Sequence, residues 1–399
     1  FRRVLFRSPV PAPKLTGRLL ALFAAASFCS ASAMHFQSPM LNAMAQDFGV
    51  DAAAAGWIAT LTFGGYLLGM FTIVPLGDRF DKRAIVIGQL AGLIVSTLVL
   101  ALAPNLYVAA AASVVLGASA CLTQSVIPVV VELAPVSGRG RLVGTLLSAL
   151  FLGILFGRLA GGFIAAHYGW RWTYVVSEVL MISVIGPLAW VHPRMPAKTT
   201  LGYGALLRSV GELLRQNAEL RRIATIQFCL GVCYGGFWGT IAPMLAQLHR
   251  LGPAEAGMIG IPGAAGTLVA RPAGRWMDRR GPYPVVITGV ALVAAAFMVL
   301  EFAAWSVGVV VLGAILLDCG IRASIVANQT QITSVAVDAR SRVNTVFGAS
   351  IWSGNSLGAF IASTALAYAG WTTACTLALG AALLALVVQW RSRAKRRGS

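Results

Sequence analysis

The sequence predicts an all-α membrane protein with twelve helices crossing a lipid bilayer, arranged as two six-helix bundles related by a pseudo-twofold axis along the membrane normal. Three observations predict it. Of the 399 residues, 58% are hydrophobic and only 11% are charged, with a mean hydropathy of +0.78. A water-soluble chain carries roughly a quarter of its residues as Asp, Glu, Lys and Arg, so this one has too little polar surface to cover a body of its size in water. Twelve apolar stretches follow one another, each about 20 residues, the length a helix needs to cross roughly 30 Å of hydrocarbon. The last six of them repeat features of the first six at a nearly constant spacing. The continuous apolarity of Leu93–Leu102 and Val307–Leu317 is unlike the alternation of a membrane β-barrel strand.

In chain order, span 1 (19–45) holds His35-Phe36-Gln37-Ser38-Pro39 near its middle, where the proline frees a backbone carbonyl that can line a cavity. His35 is either a packed core residue or a proton relay, with Gln37 beside it. Span 2 (56–76) leads through the tight loop Pro75-Leu-Gly-Asp78-Arg79-Phe-Asp81-Lys82-Arg83 to span 3 (84–103). Span 4 (106–131) offers Thr123 and Gln124 as polar candidates and ends next to Glu132, a candidate partner for Arg79. Span 5 (142–166) places Gly153, Gly157 and Gly161 on one face for close helix packing, and Arg158 lies too deep for a casual surface charge. Arg158 serves either a substrate or counter-ion, or pairs with an acid such as Glu178 of span 6 (172–192).

After a linker (193–222), whose Leu206, Leu207, Val210, Leu213 and Leu214 recur at helical spacing beside Arg208, Glu212 and Arg215, a short helix is expected on the membrane surface. Span 7 (223–248) carries Cys229 and Cys233 one turn apart, read as small packing residues, and no metal site or disulfide framework is expected from the six cysteines. Span 8 (255–276) and span 9 (284–303) flank Gly274-Arg-Trp-Met-Asp278-Arg279-Arg280-Gly281. In span 10 (305–330), Asp318 and Arg322 stand at i and i+4 near the bilayer centre, where they either form a permanent salt bridge or face a watery cavity as a switchable proton carrier; Asn328 follows. Span 11 (342–366) repeats the glycine face as Gly354 and Gly358, and span 12 (371–390) precedes a basic tail.

The repeat has an offset of 201: Ala55-Gly56 recurs as Ala256-Gly257, Gly169-Trp170 as Gly370-Trp371, Gly153 and Gly157 as Gly354 and Gly358, and Arg139-Gly-Arg141 as Arg340-Ser-Arg342. Each copy holds an even number of spans, so both insert with one orientation and leave a natural binding place between them. Of the Lys and Arg residues in loops and tails, all but Arg171 and Arg250 fall on one face, which puts both termini in the cytoplasm. The net charge of +18 is therefore topological, and no nucleic acid is expected as a partner. The domain reading is 1–17 as a cytoplasmic N-terminus, 18–192 and 223–390 as bundles, 193–222 as linker and 391–399 as tail. Phe1–Ser8, which do not begin with Met, read as a non-native scar, and no cleavable signal is expected.

The loop Pro75–Arg83 and its counterpart Gly274–Gly281 resemble the G-x-x-x-D-R-x-G-R-[RK] signature of the major facilitator superfamily. The first copy departs from it at Val74 and Asp81, whereas the second keeps Gly274, Asp278, Arg279 and Gly281. Asn328-Gln329-Thr330 and Arg340-x-Arg342-Val-Asn344-Thr345 resemble the bacterial sugar, nucleoside and drug efflux branch. The resemblance implies a latch on the cytoplasmic side in which Asp78, Arg79 and Arg83 take part; Glu132, Arg340 and Arg342 are candidate partners and Asp278 and Arg279 the counterparts in the second half, the alternative being that these are topogenic charges. It also implies a secondary transporter of the bacterial inner membrane, monomeric and without cofactor, exporting a small organic molecule against proton influx. Arg158 stands where the family's exporters commonly have Pro, and the Arg their proton antiporters carry in span 4 is missing from Ala109–Ser113. The cavity candidates are His35, Gln37, Gln124, Arg158, Glu178, Asp318, Arg322 and Asn328. An uncoupled facilitator, a proton-linked importer and a transporter-like receptor are the alternatives. No Walker loop, G-x-S-x-G or H-E-x-x-H occurs, so no enzyme is expected.

Overall fold

A computed structural model describes residues 15–77, 79–135, 139–195, 203–263, 266–335 and 340–397. Residues 1–8 and Asp78 lie outside these, as do the side chains of Asp278, Arg340 and Arg342.

Ten helices among the described residues are long and apolar enough to cross a membrane. Gly17–His35, continued beyond a single turn residue by Gln37–Phe48, forms span 1. Pro39 has no N–H to return to the His35 carbonyl, and the interruption falls there. Spans 2 and 3 are Ala52–Leu76 and Lys82–Ala101, and span 4 is Leu106–Ala120 followed by Leu122–Leu133. Spans 5, 6 and 7 are Arg139–Tyr168, Trp170–Val191 and Ala218–His249, while Pro282–Leu300 and Val307–Val335 form spans 9 and 10. Arg340–Arg397 runs through two spans joined at Gly370. The twelfth crossing, span 8, comprises the described helical segments Pro253–Met258, Gly260–Gly263 and Gly266–Arg280, with a single turn residue at Ile259 and residues 264–265 outside the described ones. The fold is thus the twelve-helix, two-bundle one.

Side-chain caps start several of these helices: Asp51 accepts from the Ala54 N–H at 2.7 Å, Asn105 from Val108 at 3.1 Å and Asn217 from Leu220 at 3.0 Å. The Asn217 cap corrects one expected boundary. Span 7 begins at Ala218, so Arg222 is no linker charge but a buried residue that donates to Glu219 at 2.7 Å, to Gln331 at 2.9 Å and to Gln389, tying spans 7, 10 and 12 at the basic face. The linker contains the helix Tyr203–Gln216, whose Leu213 and Leu214 pack on Leu220, Ile223 and Phe347.

Each half has its own apolar core, one around Phe23, Ile58, Phe63, Leu90 and Met181, the other around Phe237, Val286, Val293 and Leu317. The sequence repeat is also a packing repeat. A Cβ at Gly153 or Gly157 would strike the Phe28 or Ser32 carbonyl of span 1, and one at Gly354 or Gly358 would strike the Phe228 or Val232 carbonyl of span 7. Gly169 (φ 90) and Gly370 (φ 83) make the same left-handed joint between the last two spans of each half, a conformation that favours glycine.

Two pairings and a turn within span 8 differ from expectation. Glu132 takes Lys82 at 2.6 Å in place of Arg79, because Lys82 opens span 3 and is buried whereas Arg79 sits in the exposed turn. Glu178 accepts from Thr97 Oγ1 at 2.8 Å and faces span 3, so it does not meet Arg158. Span 8 has a turn at Ile259, since Pro262 lacks the N–H that would return to the Met258 carbonyl, and its Gly260, Gly263 and Gly266 pack directly on other spans. At the basic-face end of span 3, Asp81 does by side-chain capping what Gly281 does by backbone freedom. It accepts from the Arg83 N–H at 3.0 Å and the Met195 N–H at 2.9 Å, binding the start of the linker to the loop.

Candidate functional site

Between the halves lies a cavity of about 430 Å³, within the size range of small-molecule sites. Both halves line it: His35, Tyr66, Gln124 and Phe151 from spans 1, 2, 4 and 5, and Gln227, Tyr234, Arg322 and Trp352 from spans 7, 10 and 11. It occupies the half of the molecule nearer the basic face, reaching Leu147, Gln329 and Phe347. Towards the opposite face the halves are in close contact. Ser356 donates to the Thr60 carbonyl at 2.9 Å, Trp57 and Phe360 have ring centroids 5.0 Å apart, and Gly162 and Gly257 bring spans 5 and 8 into backbone contact. The arrangement is inward-facing if the basic face is the inner one.

A charged cluster stands at the closed end. Arg158, reaching from the first half, is buried and donates to the Tyr234 hydroxyl at 2.7 Å, with its guanidinium 3.3 Å from the Trp238 ring centroid; both partners belong to span 7 of the second half. Asp318 and Arg322 approach to 4.0 Å, at the limit of an ion pair, and Asp318 faces both guanidinium groups while its Oδ2 is buried without a hydrogen-bond partner. Arg322 lies over the Phe151 ring at 4.7 Å. The glycines of span 8 make room for the cluster: a Cβ on Gly260 would lie 3.2 Å from Arg158 Cβ, and one on Gly263 would lie 2.9 Å from the Trp238 ring and 3.1 Å from Asp318 Oδ2. His35 completes it. Its Nδ1 is 2.8 Å from the Ala31 carbonyl, which can only accept, so Nδ1 carries hydrogen and Nε2 is the nitrogen left for another partner.

The eight cavity candidates therefore separate. His35, Gln124 and Arg322 line the cavity, and Arg158 and Asp318 stand directly behind it. Gln37, which accepts from Thr62 Oγ1 at 2.8 Å, Glu178 and the fully buried Asn328 do not line it; at the basic-face end of span 10 the lining residue is Gln329. Sequence reading passed over Tyr234, Trp238, Gln227 and Trp352. The Tyr234–Trp238 spacing of one helical turn was the available signal, since it puts two large polar-edged rings on one face of a span otherwise rich in glycine.

Two helical bundles meeting around a central cavity that is sealed toward one face define a membrane transporter. The chain belongs to the Major Facilitator Superfamily, whose profile matches residues 23–336 and 223–399. It is 30% identical over 382 residues to the "Uncharacterized transporter YgaY" of Escherichia coli O157:H7, covering 96% of this chain and 97% of that one. It is 25% identical to the "Multidrug resistance protein B homolog" of Mycobacterium tuberculosis (strain CDC 1551 / Oshkosh), covering 64% of this chain and 58% of the relative. Among solved structures it resembles a bacterial homolog of the human lysosomal transporter Spinster in an inward-facing and occupied conformation, with a TM-score of 0.76, 15% identity and coverage of 94% and 96%. It also resembles the nucleoside transporter NupG (D323A mutant), with a TM-score of 0.75, 11% identity and coverage of 94% and 99%.

Proposed function

We propose that this transporter exports a small organic molecule in exchange for protons across a bacterial inner membrane, as a monomer with both termini in the cytoplasm. The observation that carries the proposal is Asp318. It is a buried carboxylate behind a cavity shared by both halves, with one oxygen unbonded and an arginine from the other half facing it. A proton on Asp318 removes the charge that helps hold Arg158 of the first half against the second, so protonation favours separation of the halves on the far side. The mycobacterial relative's designation as a multidrug resistance protein homolog supports export of an organic solute. In the alternate state, Arg79, Arg83 and Arg279, together with Asp78, Asp278, Arg340 and Arg342, form the latch on the basic face.

Flux in proteoliposomes with and without an imposed pH gradient tests this. Asp318→Asn is expected to abolish gradient-driven accumulation while sparing counterflow exchange. An unchanged pH-gradient dependence in that variant removes Asp318 from proton coupling; gradient-independent flux of the parent protein makes it a facilitator, and saturable binding without flux makes it a receptor.

A further inference from the structure

The charges around the cavity do not balance. Two guanidinium groups, Arg158 and Arg322, face a single carboxylate, Asp318, whose side chain is 2% exposed and shielded behind the cavity wall. Arg322 is the one charged side chain among the described lining residues, and its Nε is buried without a hydrogen-bond partner. Its contact with Asp318 is only 4.0 Å, so the carboxylate does not satisfy its donor fork. An uncompensated cation at membrane depth is costly, and a bound anion relieves that cost. Around this cation the walls are aromatic and aliphatic. Phe151 lies against the guanidinium, Tyr66 and Trp352 have ring centroids 3.9 Å apart, and Leu150, Ile154 and Ile321 complete the surface.

We infer that the solute taken up by this cavity is an amphiphilic organic anion, its carboxylate on the free edge of Arg322 and its planar body against Phe151, Tyr66 and Trp352. Gln124 and Gln227 supply amide donors to further polar groups, and Gln227 Nε2 is buried without a partner. A cationic solute would meet the Arg322 guanidinium at the wall, with Arg158 behind it, and no carboxylate among the described lining residues. The inference rests on the reading of this cavity as the transport site and adds the sign and shape of what it admits.

The test is binding to the purified full-length protein in detergent, by tryptophan fluorescence and calorimetry, of three probes of one shape: 2-naphthoate, 2-naphthamide and 2-naphthylmethylammonium. The carboxylate is expected to bind the unaltered protein about tenfold more tightly than the amide and more tightly still than the cation. Arg322→Gln is expected to erase the preference of carboxylate over amide, and Arg322→Lys, which keeps the charge, to restore part of it. Absence of naphthoate binding, equal or tighter binding of the amide or the cation, or a preference that survives Arg322→Gln overturns the inference. Because the comparison on the unaltered protein needs no variant, misfolding of Arg322→Gln leaves it decisive. Arg322-dependent naphthoate binding without flux in proteoliposomes defeats the exporter reading and spares this one; proton-coupled flux of a cation does the reverse.

Discussion

At the scale of single residues, burial decides what a charge means. His192 caps the basic-face end of span 6, where it is buried, stacks edge-on against Phe23 at 5.2 Å, and holds its Nδ1 2.7 Å from the Pro193 carbonyl. Its Nε2 has no partner. Burial, more than the opposing effects of the Pro193 carbonyl and Asp81, pushes its pKa below the usual 6.5, and Arg83 pushes the same way. The folded state therefore holds fewer protons here than the unfolded chain. The stability it contributes is complete above pH 6.5 and is lost as pH falls below that value and through the lowered folded one. Thermal melts of the solubilised protein from pH 7.5 to pH 5 are expected to show a smaller acid loss for His192→Gln than for the unaltered protein. Equal acid slopes would show that the titration lies elsewhere. The same scale separates the two arginines at the ends of span 7. Arg222 is buried among Glu219, Gln331 and Gln389, whereas Arg250 turns the chain with a left-handed φ of 57° just past the helix end. Nothing in the residue types distinguishes them; the helix cap at Asn217, five residues before Arg222, does.

At the scale of helices, the periodic signals in the sequence carried most of the fold. Apolar length placed the crossings, and the 201-residue repeat carried the pairing of spans 1 and 5 with spans 7 and 11, because glycines at i and i+4 have one use in lipid, the close approach of backbones. That contact is testable. Gly157→Leu and Gly358→Leu are each expected to cost about 1–3 kcal/mol or more of stability through overpacking against carbonyl oxygens, read as lost yield of monodisperse protein and a lower melting midpoint. Gly380→Ala, where an added Cβ meets nothing within 4 Å, is expected to be neutral or slightly stabilising. If all three behave alike, the glycine face is not a packing face. What could not be read is which side of a helix an isolated polar group faces. Arg158 and Glu178 are both visible as buried charges, but pairing them needed the rotation of spans 5 and 6 about their axes, and the three glycines beside Arg158 turn that face of span 5 toward spans 1 and 8 while Glu178 turns toward Thr97. The turn in span 8 is hidden for a related reason. Gly260, Pro262, Gly263 and Gly266 are tolerated in a membrane helix, and only the neighbouring Arg158, Trp238 and Asp318 show what the small residues there make room for.

At the scale of the molecule, exposed aromatic side chains mark two levels. Tyr107, Trp172, Trp305 and Tyr368 stand toward the face opposite the termini and Trp190 and Trp390 toward the basic face, as expected for rings at the two membrane–water boundaries. Between these levels the two halves meet along an uneven seam. Spans 2 and 11 touch along much of their length, the outer piece of span 1 (Gln37–Phe48) packs on spans 7 and 8, and the cavity opens the seam on the other side. If transport requires the seam to part on the sealed side, a covalent link there must stop flux without removing the binding site. Gly64 and Ser356 offer the place, since a Cβ on Gly64 would lie 3.2 Å from the Ser356 side-chain oxygen, close to the span a disulfide needs. In the double variant Gly64→Cys, Ser356→Cys, oxidation is expected to reduce flux at least tenfold, with affinity for solute added from the basic face changed less than about twofold, and reduction is expected to restore transport. The six native cysteines are unpaired, and five of them are buried, so the oxidant has few competing thiols. Full flux through the cross-linked protein would mean that solute passes while this part of the seam stays closed, and the two bundles would then have to be treated as a fixed frame around a smaller gate.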